Sequence, residues 1–360
     1  MGSATPEAWT SESWDAYVRA HQRATYLQLS AWAKVKRATG WSAALVGSSS
    51  GPAGPFGAQL LTRPMPGVPW RFAYAPRGPL AGEWNAETDR AWADALRRAA
   101  ASGGSLERTA IVRMDPEVED TPDARAALGA GGWRRAHDMQ PRRTRIVDLA
   151  ADEDALWSDL RKKWRQYVNK ARHNEIVVRD VDPAVETDAF DTFHTVMREV
   201  SKRTALPLRS AKAFHDVWAA FAPAGESRLL FADTKDGETV AVLLLVSCGN
   251  RVVEPYGGMT DAGAELRANY LLKWEAIRTS KERGAVSYDM WGLIGSGIDF
   301  FKEGFGGREV TYVGAWDLAL SPLGATAFRV GERGRQLYRA ARRRVRGENL
   351  ALPSAPESDA

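Results

Sequence analysis

Apolar positions along the chain follow two periods, and the switches between them predict the elements. Trp157, Leu160, Trp164, Val168 and Ala171 recur at helical spacing, which predicts one helix over 155–173 with a single apolar stripe. Asp152 and Asp154 both stand where its N-cap would be. Trp92, Leu96 and Ala99 mark a second amphipathic helix over 86–100. Further helices are expected at 14–23, from Ser30 as cap through Lys36, and over 189–203, 214–221, 269–280 and 328–345. Alternating or short apolar runs predict strands at 42–46, 57–61, 72–75, 109–114, 142–149, 176–181, 251–255 and 284–290. Lys235-Asp236-Gly237 turns a hairpin between 229–233 and 239–247, and glycines mark another turn at 51–54. The interleaving predicts an α/β (α+β) class, with mixed central sheets flanked by helices. Polar residues 1–12 and 347–360 show neither period and are expected to be disordered.

At 360 residues the chain is long enough for two domains, and 44% hydrophobic with 26% charged residues describes a globular protein with real cores. A net charge of +4 suits a polyanionic partner without requiring one. The single cysteine, Cys248, lies in an apolar run and is expected to be a buried thiol, which points to a reducing compartment. No basic start with an apolar core opens the sequence, and no apolar run reaches the roughly 18 residues that span a bilayer. A cytoplasmic monomer is expected, at the inner face of the membrane if its substrate carries a lipid. The five histidines are scattered, so neither a metal site nor a Ser-His-Asp or Cys-His nucleophile is expected.

The most specific stretch is 286–318. A β-rich run ends at Trp291-Gly292, small residues turn through Gly295-Ser296-Gly297, and Phe300-Phe301-Lys302-Glu303-Gly304-Phe305-Gly306-Gly307 precedes a second β-rich run over 309–318. Tyr288-Asp289 with Gly292, then Phe301-Lys302 with Phe305-Gly306-Gly307, then Tyr312 and Gly314 with Asp317, resembles the closing signature of the Fem family. Those proteins are aminoacyl-tRNA-dependent ligases that build peptidoglycan interpeptide bridges. The resemblance extends upstream through Gln28, Trp32, Lys36, Gly40 and Trp41, through Tyr74, Pro76, Gly78 and Pro79, and through Arg113, Asp115 and Pro116. It covers about residues 25–345 and is patchier in the first half, where Ala110 stands at a position the family can fill with tyrosine.

The resemblance implies two tandem GNAT-like domains: 13–150, completed by a C-terminal helix at 325–346 and binding the precursor, and 151–324, carrying the transfer. It implies Lys36 (with Lys34 as rival) and Arg209 on the precursor's phosphates, Asp115 in the precursor site and Tyr256 near the acceptor pocket. A guanidinium suits a diphosphate because its donors form a fixed fork. Lys162, Lys163 and Arg165, on the basic helix that also holds Tyr167 and Asn169, are expected to meet the tRNA backbone. Lys302 is expected as a cation near the acceptor end or the developing oxyanion, with Phe301 beside it. The expected partners are aminoacyl-tRNA and a peptidoglycan precursor, carried as lipid II or UDP-MurNAc-pentapeptide. No cofactor is expected: residues 260–269 lack the Arg/Gln-x-x-Gly-x-Gly/Ala turn that cradles CoA pyrophosphate. Three other readings stay open: a same-fold ligase of a secondary-metabolite peptide, a CoA-dependent N-acyltransferase, and an RNA-binding protein using the 161–172 helix.

Overall fold

A computed structural model describes residues 8–50, 54–204 and 207–345. The expected tail at 347–360, residues 1–7, most of the 51–54 turn and part of the loop ahead of Arg209 lie outside them. In chain order the strands are β1 (Ser42–Ser48), β2 (Phe56–Pro64), β3 (Arg71–Ala75), β4 (Leu80–Ala81), β5 (Thr109–Met114), β6 (Arg134–Arg135), β7 (Arg143–Asp148), β8 (Val177–Val181), β9 (Ser227–Asp233), β10 (Thr239–Cys248), β11 (Arg251–Met259), β12 (Ser287–Asp289), β13 (Arg308–Thr311) and β14 (Trp316–Ala319). The helices are α1 (Ser11–Ala20), α2 (Ser30–Arg37), α3 (Ala86–Ala100), α4 (Pro122–Ala130), α5 (Glu153–Asp159), α6 (Lys162–His173), α7 (Ala189–Thr204), α8 (Ala211–Phe221), α9 (Asp261–Glu265), α10 (Ala268–Glu282), α11 (Ser296–Glu303) and α12 (Pro322–Val345).

They form two units. The first takes residues up to 23, 27–142 and those from 311 onward; the second takes 24–26 and 143–310. The first sheet runs β1-β2-β3-β5-β14-β6, with β4 on β2. Its core joins Leu60, Trp92, Leu96, Val112, Met114 and Trp133, and Phe328 of α12 stacks on Phe72 at 4.9 Å. The second sheet runs β13-β7-β12-β11-β10-β9-β8. Its core joins Trp164, Val168, Leu243, Trp274, Tyr288 and Phe305, with Cys248 a buried thiol. One order is used twice. Two antiparallel pairings and a parallel one link β1-β2-β3-β5, and the same sequence of pairings links β9-β10-β11-β12. A helix crosses between the parallel strands each time, α3 in the first unit and α10 in the second.

The structure corrects several expectations. The 142–149 strand does not close the first half; β7 pairs with β12 in the second sheet, Val147 opposite Tyr288. Alternation marks a strand but does not name its neighbour. The 309–318 run is broken at Gly314 (φ 73°), so β13 lies in the second sheet and β14 pairs with β5 in the first. The 155–173 helix is two helices. Leu160 and Arg161 are extended, and the Arg161 N–H donates to Gly304 O at 2.9 Å instead of one turn back. Arg165 then donates to Ser158 O and Leu160 O, 2.7 Å each, satisfying the carbonyls that end α5. Asp152, not Asp154, caps α5. Ser30 caps nothing: its N–H and hydroxyl both donate to Asp15. Residues 9–12 are ordered, with the Trp9 indole donating to Phe56 O at 3.1 Å and α1 starting at Ser11.

Candidate active site

In the second unit the parallel ladder holds for three residues only, Arg251–Ser287 to Val253–Asp289, while β11 runs on to Met259. Where the ladder ends, charged side chains are buried. Glu254 accepts from Lys273 of α10 and from the Tyr288 hydroxyl at 2.6 Å, and all three are nearly inaccessible. Asp289 accepts from Arg251, from the Thr144 hydroxyl and from the Trp291 N–H at 2.8 Å. Burial works against the Asp289 charge, but the Arg251 guanidinium and these hydrogen bonds outweigh it and hold the carboxyl below its usual range. Burial and the Glu254 carboxylate push the Tyr288 hydroxyl well up.

Lys302 lies in the last turn of α11, an eight-residue helix where the sequence suggested only a link between two turns. Its Nζ donates to Trp291 O and, at 2.8 Å, to Gly292 O. Trp291 sits at φ 46°, a conformation costly for a side chain of its size. Its peptide is gripped at both ends, Asp289 on the N–H and Lys302 on the carbonyl. Desolvation lowers the Lys302 ammonium to about 8; Glu254 opposes the shift and Lys273 adds to it. Such a lysine keeps its charge at neutral pH and loses it just above.

Phe301 packs edge-on against Tyr270 (5.1 Å) and Phe305 (5.2 Å), with the Lys273 ammonium 5.9 Å from its ring. Behind it Gly304 lies flush on the Trp164 indole, whose N–H donates to Phe301 O at 2.9 Å. The cluster continues outward to Tyr167, 4.8 Å from Tyr270, and to the exposed ring of Phe300, which meets Trp164 edge-on at 5.2 Å. Arg161 covers Phe300 at 4.7 Å, Arg267 covers Tyr167 at 4.7 Å, and Lys163 stands 5.6 Å from Tyr167. Lys162 and Lys163 are exposed at the start of α6, whereas Arg165 is committed to the α5 carbonyls. Elsewhere in this unit Arg209 lies over the Tyr256 ring at 5.4 Å, and Tyr256 meets Phe214 edge-on at 5.2 Å.

In the first unit Lys36 is buried in α2 with its ammonium 5.8 Å from the Trp32 ring, and Lys34 is exposed. Asp115 is 1% exposed and both its oxygens are used, by the Arg77 N–H at 2.7 Å and the Tyr74 hydroxyl at 2.6 Å. Burial pushes its carboxyl up to about 6 against the pull of Arg77. The Arg77 guanidinium is itself buried. It donates to Pro141 O at 2.7 Å, stands 3.6 Å from Glu117, and faces the Tyr312 ring at 5.0 Å. Several signature residues hold one another. Gln28 accepts the Gln59 N–H and donates to Pro76 O, both at 2.7 Å. Arg113 forks onto Asp317 at 2.7 and 2.9 Å and reaches Glu332 of α12 at 2.8 Å. Asp89 is buried on α3, pressed by Gly131, and burial pushes its carboxyl up to about 7.

A FemAB family model matches residues 9–122, and an acetyltransferase (GNAT) domain model matches 158–303. The first unit thus carries a Fem-family match and the second a GNAT match. Among curated relatives similar to this chain is the lipid II:glycine glycyltransferase of Staphylococcus aureus (strain COL), 26% identical over 242 residues. That match takes in 64% of this chain and 56% of the relative, so it spans little more than half the relative's length. A FemX crystal structure superposes with a TM-score of 0.78 at 20% identity, covering 91% of this chain and 99% of that one. The C-terminal domain of a putative lysylphosphatidylglycerol synthetase from Agrobacterium fabrum matches at TM-score 0.51 and 13% identity, over 88% and 96% of the two chains. At these identities the solved structures show a shared fold, two GNAT-like units in tandem. Among the described residues no group of His, Cys, Asp or Glu could hold a metal ion.

Sequence reasoning missed Glu254, Lys273 and Arg251. A signal was present: Glu254 interrupts the apolar Val252-Val253, and Lys273 sits among Leu271, Leu272 and Trp274. A charge inside a buried run must be paired, and each of these is.

Proposed function

We propose that this chain transfers an amino acid, glycine or another small residue, from aminoacyl-tRNA to the stem-peptide amine of a lipid-linked peptidoglycan precursor. The observation that carries the reading is the match with the lipid II:glycine glycyltransferase. The ester of aminoacyl-tRNA is already activated, so the acceptor amine attacks its carbonyl without a protein nucleophile. The new C–N bond forms, the ester C–O bond breaks, and the terminal ribose hydroxyl leaves with a proton while the amine gives one up. Lys302 supplies positive charge for the oxyanion. An ammonium has three donors; two hold Trp291 O and Gly292 O, and the third serves the developing charge.

The aromatic cluster of Phe300, Phe301, Tyr167 and Tyr270 offers stacking faces for unpaired bases of the acceptor end, with Lys162 and Lys163 on its phosphates. Arg165 supports that surface by closing α5. Arg209 and Lys36 take precursor phosphates, Tyr256 lines the acceptor pocket, and Asp115 positions Tyr74 and Arg77. The open side of β11 beyond Val253 is where the acceptor peptide is placed. The test is transfer of radiolabelled amino acids from a pool of charged tRNAs to purified lipid-linked and nucleotide-linked precursors. An RNase-sensitive glycyl product on the lipid-linked acceptor is expected. Bound tRNA with no product on either acceptor would reject the reading.

A further inference from the structure

The C-terminal helix α12 has two faces. Ala325, Phe328 and Glu332 turn toward the first sheet, Phe328 on Phe72 and Glu332 on Arg113. On the other side Leu323, Val330 and Leu337 are 75%, 67% and 72% exposed. They are spaced seven apart, so they form one line along the helix. Exposed Ala341 extends that line, and Gly334 leaves it flat. Arg333 is exposed alongside, whereas Arg335, also exposed, lies seven residues on from Phe328 and so on the side facing the sheet. Over Pro322–Val345 seven arginines stand against one glutamate, a net of +6, and that glutamate is spent on Arg113.

We propose that this outer face of α12 docks the protein on an anionic phospholipid surface, with Leu323, Val330 and Leu337 entering the headgroup boundary and Arg333 beside them on a lipid phosphate. An apolar line bordered by arginine is the pattern of a helix that lies in the interface plane, and no helix among the described residues is long and apolar enough to cross. The charge argues against the other occupants. A second copy would set +6 against +6, and an RNA backbone would use the arginines but leave the leucines and valine in water. The proposal stands on the helix; it rests on the proposed lipid-linked acceptor only for its purpose, since docking would bring the active site to that acceptor's surface.

The experiment is flotation of the full chain with phosphatidylglycerol-containing and with pure phosphatidylcholine vesicles, neither carrying acceptor. Binding to the anionic vesicles that weakens with salt is expected. The triple variant Leu323→Ser, Val330→Ser, Leu337→Ser should lose roughly tenfold or more. The single variant Arg333→Gln should lose roughly fivefold. Both variants should keep the parent's urea midpoint and its transfer to a water-soluble acceptor. No flotation of the parent, or unchanged flotation of the triple variant, overturns the proposal. So does a tRNA affinity that falls in Arg333→Gln while flotation holds, which assigns the face to RNA. A parent dimer that the triple variant dissociates assigns it to a second copy and likewise overturns it. A dead transfer assay with intact flotation would reject the proposed reaction and leave the docking standing.

Discussion

The parallel pair of the first unit runs from Arg71 with Thr109 through Ala75 with Met114, with one register shift after Arg71, whereas that of the second closes for three residues and then parts. Both end on a buried aspartate that accepts the N–H of a residue in the left-handed region: Asp115 from Arg77 (φ 54°) and Asp289 from Trp291 (φ 46°). The surroundings then diverge. Asp115 is pushed up to about 6, and the Arg77 guanidinium packs between Glu117 and the Tyr312 ring. Asp289 is held below its usual range and grips the peptide on which Lys302 also pulls. One architecture has been used twice, once filled and once left open beside a lysine tuned toward neutrality. The same strand order can therefore serve as scaffold or as site, depending on what fills the end of the parallel pair.

That contrast can be strained from both sides. The largest effect belongs to the filled unit: Asp317→Ala leaves Arg113 buried beside Glu332 alone and should cost about 3 kcal/mol in urea unfolding. A loss under about 1 kcal/mol would mean that Glu332 suffices. In the open unit Lys302→Ala should lower single-turnover transfer by about 10²- to 10³-fold, while Asp115→Asn lowers it by no more than about tenfold. Equal losses would erase the division of labour. The pH profile sharpens it. If the Lys302 charge is used, transfer falls as pH rises through about 8. Stability moves the other way: the folded state binds fewer protons than the unfolded chain above about 8, so stability rises from there toward the ordinary lysine range. Lys302→Met should flatten both curves. The smallest effect returns to the first unit. Asp89, pushed up to about 7, is better tolerated protonated, so stability falls as pH climbs from the carboxylate range to about 7. Asp89→Asn should remove that slope in thermal melts across pH.

Elements with a strong internal period were legible. The stripe from Trp157 to Ala171 does face a core, and the Lys235-Asp236-Gly237 hairpin is β9–β10. Non-local choices were not. Nothing in Arg143–Asp148 tells which sheet it joins, and no proline or glycine marks the break at Leu160-Arg161, which depends on a carbonyl from Gly304. The helical form of 296–303 was hidden by its flanking glycines and short length. At the site the signature pointed to Lys302 and Asp289. It did not reveal that Arg113, Asp317 and Gln28 spend their polar groups on other protein groups. A motif read in one dimension does not separate residues that hold the frame from residues that meet a substrate.

Because β14 lies between β5 and β6, the first sheet needs a strand encoded after the whole second unit. On the ribosome, β5 must therefore wait with an open edge while the 168 residues from 143 to 310 are made. At ordinary elongation rates that is on the order of 10 to 30 s. During that interval the nascent chain offers an unpaired apolar strand, Thr109–Met114, to any other strand in reach. The second unit is nearly continuous in sequence and can fold while the first is still unfinished. Expression yield of this protein should thus depend on what shields β5 before β14 emerges, and a chain cut short before Trp316 should be held by chaperones or aggregate.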